Sequence, residues 1–428
     1  MAYSIAGIDV HKKMVAVVIA DVDVAGTWQF ERRQLGTSPT QLRSLAEWLV
    51  ERAVREVVME STAQYWRPVW ETLERRWQPR VRQTAGGGDR HVGALHLAQA
   101  QSNEGSRGRK RDVPDAERLV KRLVAQELTL SFVPDVTQRL WRTVARRKYQ
   151  STCNRVRLQN RLESLLEEMH IKLSSFVADL IGPSARRMLR AIANGETDPG
   201  AVVALGSQRL HATPDQLRDA LGACTDLHPV YRRLLALMLD ELDVIERHIH
   251  ELDAELAQLL RSHQAAVERL AAVPGLGVDS AQQIITEVGP TAATFATAKR
   301  LASWVGVCPG HDESAGRNHS HRAPNGNRQM RRVLNQAANA AVKAKGSIFQ
   351  LVYRRLVVRL GHAQAIGAIA HRLCRLIWKI LHDGVTYDER GPAVTKHRAH
   401  RRAAKMIREL RALGYRIERA SAPASTPA

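Results

Sequence analysis

Four acidic residues in the first third of the chain have the types and spacing to hold a divalent cation. They are Asp9 in "GIDVHK", Glu60 closing "EVVME", and Asp112 and Asp115 in "KRDVPDAERL". Each also has a plainer explanation. Asp9 can prepare the turn at His11-Lys12-Lys13, Glu60 can open a helix, and Asp112 and Asp115 suit a helix start with Pro114 in its first turn. Taken as a set they read differently. Four gathered carboxylates repel one another unless cations neutralise them, and a buried lone carboxylate costs several kcal/mol. Ligands that are all oxygen favour Mg2+ or Mn2+ over zinc. Two such ions can polarise a phosphodiester and stabilise its attacking and leaving oxygens. Asp9 is therefore better explained as a metal ligand than as a turn residue.

A second centre lies in "CPGHDESAGRNHSHRAPNGNRQMRR", residues 308–332. Ser314 stands among small residues, where its hydroxyl can be approached closely. Arg317, Arg322, Arg328, Arg331 and Arg332 could grip phosphates around it. A serine in such a loop can equally be a turn former. His311, His319 and His321 lack the cysteines or acids that would complete a metal site. Upstream, "VPGLG" followed by a helix suits a hairpin between helices, whose backbone amides contact phosphate without reading sequence.

The elements that must carry these residues follow from periodicity. "SIAGIDV", "MVAVVIADV" and "TWQFERRQL" read as three strands in a meander, with Ile5, Gly7, Asp9 and His11 on one face of the first and Ile8 and Val10 on the other. "TSPTQLRSLAEWLVER" is a helix capped by Thr37 or Ser38, "EVVME" a strand, "AQYWRPVWETLERRW" a helix and "PRVRQTA" a short strand. A polar, Gly-rich loop from Gly86 to Lys110 precedes the helix "DAERLVKRLVAQEL". A meander followed by alternating helix and strand describes an RNase H-like α/β domain over residues 1–165. Its last helix is basic in its first half, and Arg146, Arg147 and Lys148 are candidate nucleic-acid contacts. Residues 166–265 read as helical, with a seam of Leu235, Met238, Leu242, Ile245, Ile249, Leu252, Leu256 and Leu259 at spacings of three and four. That is a coiled-coil signature suited to dimerisation, although a helix docked on its own domain would show it too. Residues 266–390 read as a mainly α C-terminal domain, and 391–428 as a basic tail, disordered in part at "ASAPASTPA".

Composition narrows the partners. The 428 residues hold 64 Lys and Arg against 43 Asp and Glu, a formal charge of +21, which points to a polyanion and first to nucleic acid. A membrane is disfavoured, because no apolar run reaches the roughly 18 residues of a spanning helix and "MAYSIAGIDV" lacks the pattern of a signal peptide. The four scattered cysteines form no CxxC pair and suit a reducing cytoplasm.

The segments "GIDVHK", "MES", "GRKRDVPDAERL", "VPGLG", "LASWVGVCPG", "ESAG" and "NGNRQMRRVL" occur in the order seen in one insertion-sequence family. Over nearly all of residues 5 to 390 the chain resembles the DEDD transposases that are similar to Holliday-junction resolvases and guided by a bridge RNA. The resemblance implies that Asp9, Glu60, Asp112 and Asp115 are the DEDD acids, holding Mg2+, and that Ser314 is the nucleophile that forms a covalent link to DNA. It further implies donor and target DNA and a guide RNA as partners. Homodimers that pair into tetramers, a composite site formed between protomers, and action at the bacterial nucleoid belong to the same expectation. Arg317 stands where many relatives carry Lys, and the stretch beyond 390 is extra. A metal-dependent DNA junction nuclease, needing the acids but not Ser314, is the alternative enzyme. A basic packaging protein would need only the charge, and it explains neither the acids nor the serine loop.

Overall fold

A computed structural model describes residues 3–22, 28–60, 63–77, 94–99, 112–206, 210–308, 313–314, 317–318, 324–389, 391–412 and 414–416. The chain divides into two compact units, Met1–Pro134 and Asp135–Ala428.

The first unit is a mixed sheet with helices on both faces. Strands β1 (Tyr3–Val10), β2 (Met14–Val22) and β3 (Trp28–Gly36) form the expected antiparallel meander. Helix α1 (Pro39–Glu51) follows, and of the two capping candidates it is the Ser38 side chain that accepts from the Gln41 amide. Strand β4 (Glu56–Glu60) then returns parallel to β1, and α2 (Trp66–Arg76) leads to β5 (Ala94–Ala98), parallel to β4. Helix α3 (Asp112–Val124) and the two-residue strand β6 (Leu130–Ser131) complete the order β3-β2-β1-β4-β5-β6. The strand at Ala94–Ala98 falls where the sequence reads as loop. Its "ALHLA" is short and poor in β-branched residues, so neither propensity nor alternation marks it, and pairing with β4 decides its conformation. The segment "PRVRQTA" and most of the Gly86–Lys110 loop lie outside the described residues.

Period-two alternation sorts the side chains of β1 to opposite faces, as the sequence indicates. Ala6, Ile8 and Val10 join a core with Leu45, Trp48 and Leu49 of α1 and Val69, Trp70 and Leu73 of α2. On the other face Ile5 packs with Val120 of α3, and Val58 of β4 packs with Leu119. Gly7 lies against α3 so closely that a Cβ there would stand 2.3 Å from the Ala116 carbonyl oxygen. Only glycine lets the helix backbone come this near the strand.

The second unit is helical. Helix α4 (Val136–Glu168) opens it, followed by α5 (Pro183–Ala193), α6 (Pro199–Ala204), α7 (Pro214–Leu221) and α8 (Pro229–Leu259). The sequence groups α4 with the first domain, but its packing partners are α8 and a later helix of the second unit. Arg155 pairs with Glu246 at 2.8 Å and Arg161 with Glu241 at 3.4 Å, so partner numbers fall as those of α4 rise and the two helices run antiparallel. Leu235, Leu239 and Leu242 of α8 are buried with Leu158, Leu162, Leu165 and Leu166 of α4, with Met238 and Ile245 packed beside them. The first half of the heptad seam is thus engaged within the chain. A seam written for a partner helix does not specify whether that helix belongs to the same molecule.

Helices α9 (Gln264–Ala271) and α10 (Val278–Val288) form the hairpin expected at "VPGLG". Its Gly275 has φ +87°, and a Cβ there would meet the Ala337 carbonyl oxygen at 2.3 Å. Helix α11 (Ala298–Val305), the short strands β7 (Glu313–Ser314) and β8 (Arg317–Asn318), and α12 (Arg328–Ala341) follow. Helix α13 (Ile348–Asp383) is interrupted at Gly361, where φ is 74°, and α14 (Gly391–Ala412) is the last element among the described residues. Among the described residues no helix is long and apolar enough to cross a membrane.

Candidate functional site

In the first unit the topology sets two of the four acids side by side. β1 and β4 are adjacent and parallel, and Asp9 and Glu60 are register partners at the ends of both strands. Residues opposite one another in a parallel pair project to the same face. That face is the one α3 covers, because Gly7, two residues before Asp9, meets Ala116. Both side chains are only partly exposed, and Asp9 Oδ2 lies 3.1 Å from His11 Nε2.

Helix α3 brings the other two acids. Asp115 immediately precedes Ala116, which meets Gly7 of β1, and Arg118 Nη1 donates to Asp115 Oδ1 at 2.9 Å. Asp112 begins the same helix one turn before Ala116, and its side chain lies outside the described residues. Among the described residues no group of three or more His, Cys, Asp or Glu is gathered to hold a metal ion. The donors that are placed fit a hard cation in chemistry: they are carboxylates, two of them on register-paired residues, at the edge where parallel strands end.

In the second unit, Ser314 and Arg317 are register partners in the antiparallel β7–β8 pair. Their side chains, together with Arg322, His311, His319 and His321, lie outside the described residues. Asn327 caps α12 by accepting from the Met330 amide at 2.9 Å, and its own amide donates to the Trp304 carbonyl at 3.1 Å. Of the arginines expected around the serine, Arg328 is exposed, Arg331 Nη1 donates to the Pro324 carbonyl at 3.2 Å, and Arg332 stacks on the Tyr149 ring at 3.9 Å.

The basic stretch of α4 divides by neighbour. Arg147 is exposed. Arg146 forms a two-point pair with Glu287, Nε to Oε1 and Nη2 to Oε2, both at 2.9 Å. Lys148 is buried and bonded to Asp253 and Asp279. Burial alone would push the Lys148 pKa down, but hydrogen bonds and charge from the two aspartates hold it above the ordinary lysine value. Arg146 and Lys148 thus have carboxylate partners inside the molecule, which leaves Arg147 as the outward-facing cation of the three.

Glu287 is not among the residues that type and spacing single out in the sequence. It is 3% exposed. Although burial would raise its pKa, the hydrogen bond from Arg146 and the charge of Arg142 hold it below the usual carboxylate range. The available signal was an acid at the buried end of "SAQQIITEVG", which demands cations elsewhere in the chain.

Two family profiles match the segments that hold these centres. A DEDD transposase profile named for IS110 covers residues 6–171, with all four acids, and the Transposase IS116/IS110/IS902 family profile covers residues 267–354, with Ser314. The chain belongs to this insertion-sequence transposase family. An insertion-element IS110 protein of 43.6 kDa from Streptomyces coelicolor is 26% identical over 254 residues, covering 55% of this chain and 61% of the relative. The IS900 42 kDa protein from Mycobacterium paratuberculosis is 26% identical over 185 residues, 43% of this chain and 45% of the relative. The transposase for insertion sequence element IS1111A from Coxiella burnetii is 23% identical over 227 residues, 52% and 61%. The chain spans between 45% and 61% of the length of these IS110-type and related proteins.

Proposed function

We propose that this protein is a DNA transposase and recombinase that cuts and rejoins donor and target DNA through Ser314, with Asp9, Glu60, Asp112 and Asp115 holding Mg2+ or Mn2+. The observation that carries the reading is the register pairing of Asp9 with Glu60 on adjacent parallel strands, on the face covered by the helix that brings Asp112 and Asp115. The meander with two further parallel strands supports an RNase H-like first domain. A bound divalent ion would polarise the scissile phosphodiester and stabilise the leaving oxygen. Ser314 supplies the attacking hydroxyl, and the backbone register of Arg317 opposite it supports a cation near the developing charge. Guidance by a bridge RNA, and dimers that pair into tetramers, complete the proposal. The charge of +21 suits both nucleic acids.

The decisive experiment is Ser314→Ala on a nicked suicide substrate with Mg2+, followed by a denaturing gel. Wild type is expected to give a shifted protein–DNA band, and the alanine variant to bind DNA yet give neither band nor strand exchange. A variant that still cuts would replace this mechanism with the metal-dependent junction nuclease, which uses water as its nucleophile. Complementarity between a noncoding stretch beside the gene and both the element ends and the insertion site would support RNA guidance.

A further inference from the structure

The segment that carries Ser314 joins α11 to α12, and the described residues at its two ends are clamped together. Gly306, at φ +77°, has the left-handed conformation, and a Cβ there would stand 2.6 Å from the Pro324 carbonyl oxygen. A Cβ on Gly326 would stand 2.4 Å from the Val305 carbonyl oxygen. The Asn327 amide closes the contact by donating to Trp304. Backbone thus meets backbone at the base of the segment, with no room for side chains.

Asn327 is held from a third direction. Its Oδ1 caps α12, while its Nδ2 donates to Glu287 Oε2 at 2.9 Å. That oxygen also accepts from Arg146 Nη2 at 2.9 Å and lies 3.3 Å from Arg142 Nε. Arg142 is itself tied to the end of α10, with Nη2 donating to the Glu287 carbonyl at 2.5 Å and Nε to the Thr286 carbonyl at 3.3 Å. One buried carboxylate therefore joins α4, α10 and the start of α12. Buried ion pairs add little stability over well-packed apolar residues, but they specify one arrangement, because any shift leaves a charge unpaired in low dielectric. Two donors and the neighbouring Arg142 guanidinium converging on a single oxygen leave little freedom in where Asn327 can sit.

We propose that Glu287 is a positioning residue for strand transfer: through Asn327 it fixes both the base of the Ser314 segment and the first turn of α12, where Arg328 and Arg331 stand. The inference rests on the serine reading above for its consequence in catalysis, but the anchoring itself does not depend on which group attacks DNA.

The test exchanges the two ends of the link. Asn327→Asp keeps a good helix cap but replaces the Nδ2 donor with a second carboxylate facing Glu287. Glu287→Gln combined with Asn327→Asp restores a hydrogen bond with the roles reversed and preserves the net charge of the cluster. Three quantities are read: covalent adduct and strand exchange, DNA affinity, and hydrogen exchange of the amides at 304–307 and 325–331. Asn327→Asp is expected to slow strand exchange at least tenfold at unchanged DNA affinity, with faster exchange at those amides, and the double variant to recover most of both. A purely structural role would lower melting temperature without this reciprocal rescue. The inference is overturned if Asn327→Asp exchanges strands and amides as wild type does. It is equally overturned if the double variant melts like wild type yet stays as slow as Asn327→Asp. Failure of the serine reading would show separately, as a Ser314→Ala protein that still recombines, and the amide measurement would then judge the Glu287 anchor alone.

Discussion

Asp9 and Glu60 lie directly opposite one another on neighbouring parallel strands, although fifty residues of meander and helix separate them in the chain. Two carboxylates held in register repel unless a cation or proton lies between them. Asp9→Asn and Glu60→Gln should each lower DNA cleavage on the order of a hundredfold or more while leaving circular dichroism unchanged. Saturating Mg2+ should raise the melting temperature of wild type, since an ion at a hundred times its Kd adds about 2.7 kcal/mol. Neither variant should show that rise. A Glu60→Gln protein with wild-type cleavage would remove the residue from the site.

Leu242 tests where the helical seam packs. It is 1% exposed, in a core with α4 residues of the same chain. Leu242→Ala should cost about 2–5 kcal/mol, read as a lower urea midpoint that does not vary with protein concentration. The mass seen by light scattering should stay the same. A concentration-dependent midpoint would mean that this part of the seam lies between copies.

Neighbouring cations on α4 should separate into two behaviours. Arg147→Ala is expected to weaken nucleic-acid binding about equally across sequences and to reduce the salt slope by about one, with melting unchanged. Lys148→Ala removes the partner of Asp253 and Asp279 and should destabilise the fold by about 1–2 kcal/mol. Equal effects of both substitutions on melting would refute the division.

Acid should weaken the second unit through Glu287. A carboxylate whose folded pKa is depressed contributes stability above its unfolded value, about 4.3, and the contribution is lost as pH falls through the folded value. Urea unfolding of wild type should therefore lose stability below about pH 5 more steeply than Glu287→Gln, so that the two curves converge in acid. Parallel curves would mean that the group is not held ionised by Arg146 and Arg142.

The sequence by itself determined the local structure and the chemistry on offer. Alternation in "SIAGIDV" assigned Asp9 to the face opposite Ile8, and the cap at Ser38 and the turn at "VPGLG" marked helix boundaries, because these features depend on residues a few positions apart. The acids, Ser314 and its arginines were visible for the same reason: residue type and short spacing carry them. Tertiary structure decided what depends on distant partners. The strand at Ala94–Ala98 exists through its pairing with β4, and the first half of the α8 seam is met by α4 of its own chain. Arg146 and Lys148, outward cations in the sequence, are turned to Glu287, Asp253 and Asp279 between 105 and 141 residues away. A charged side chain has no preferred partner until the fold sets the dielectric around it and the distance to its counter-charge, and neither quantity is written in local spacing.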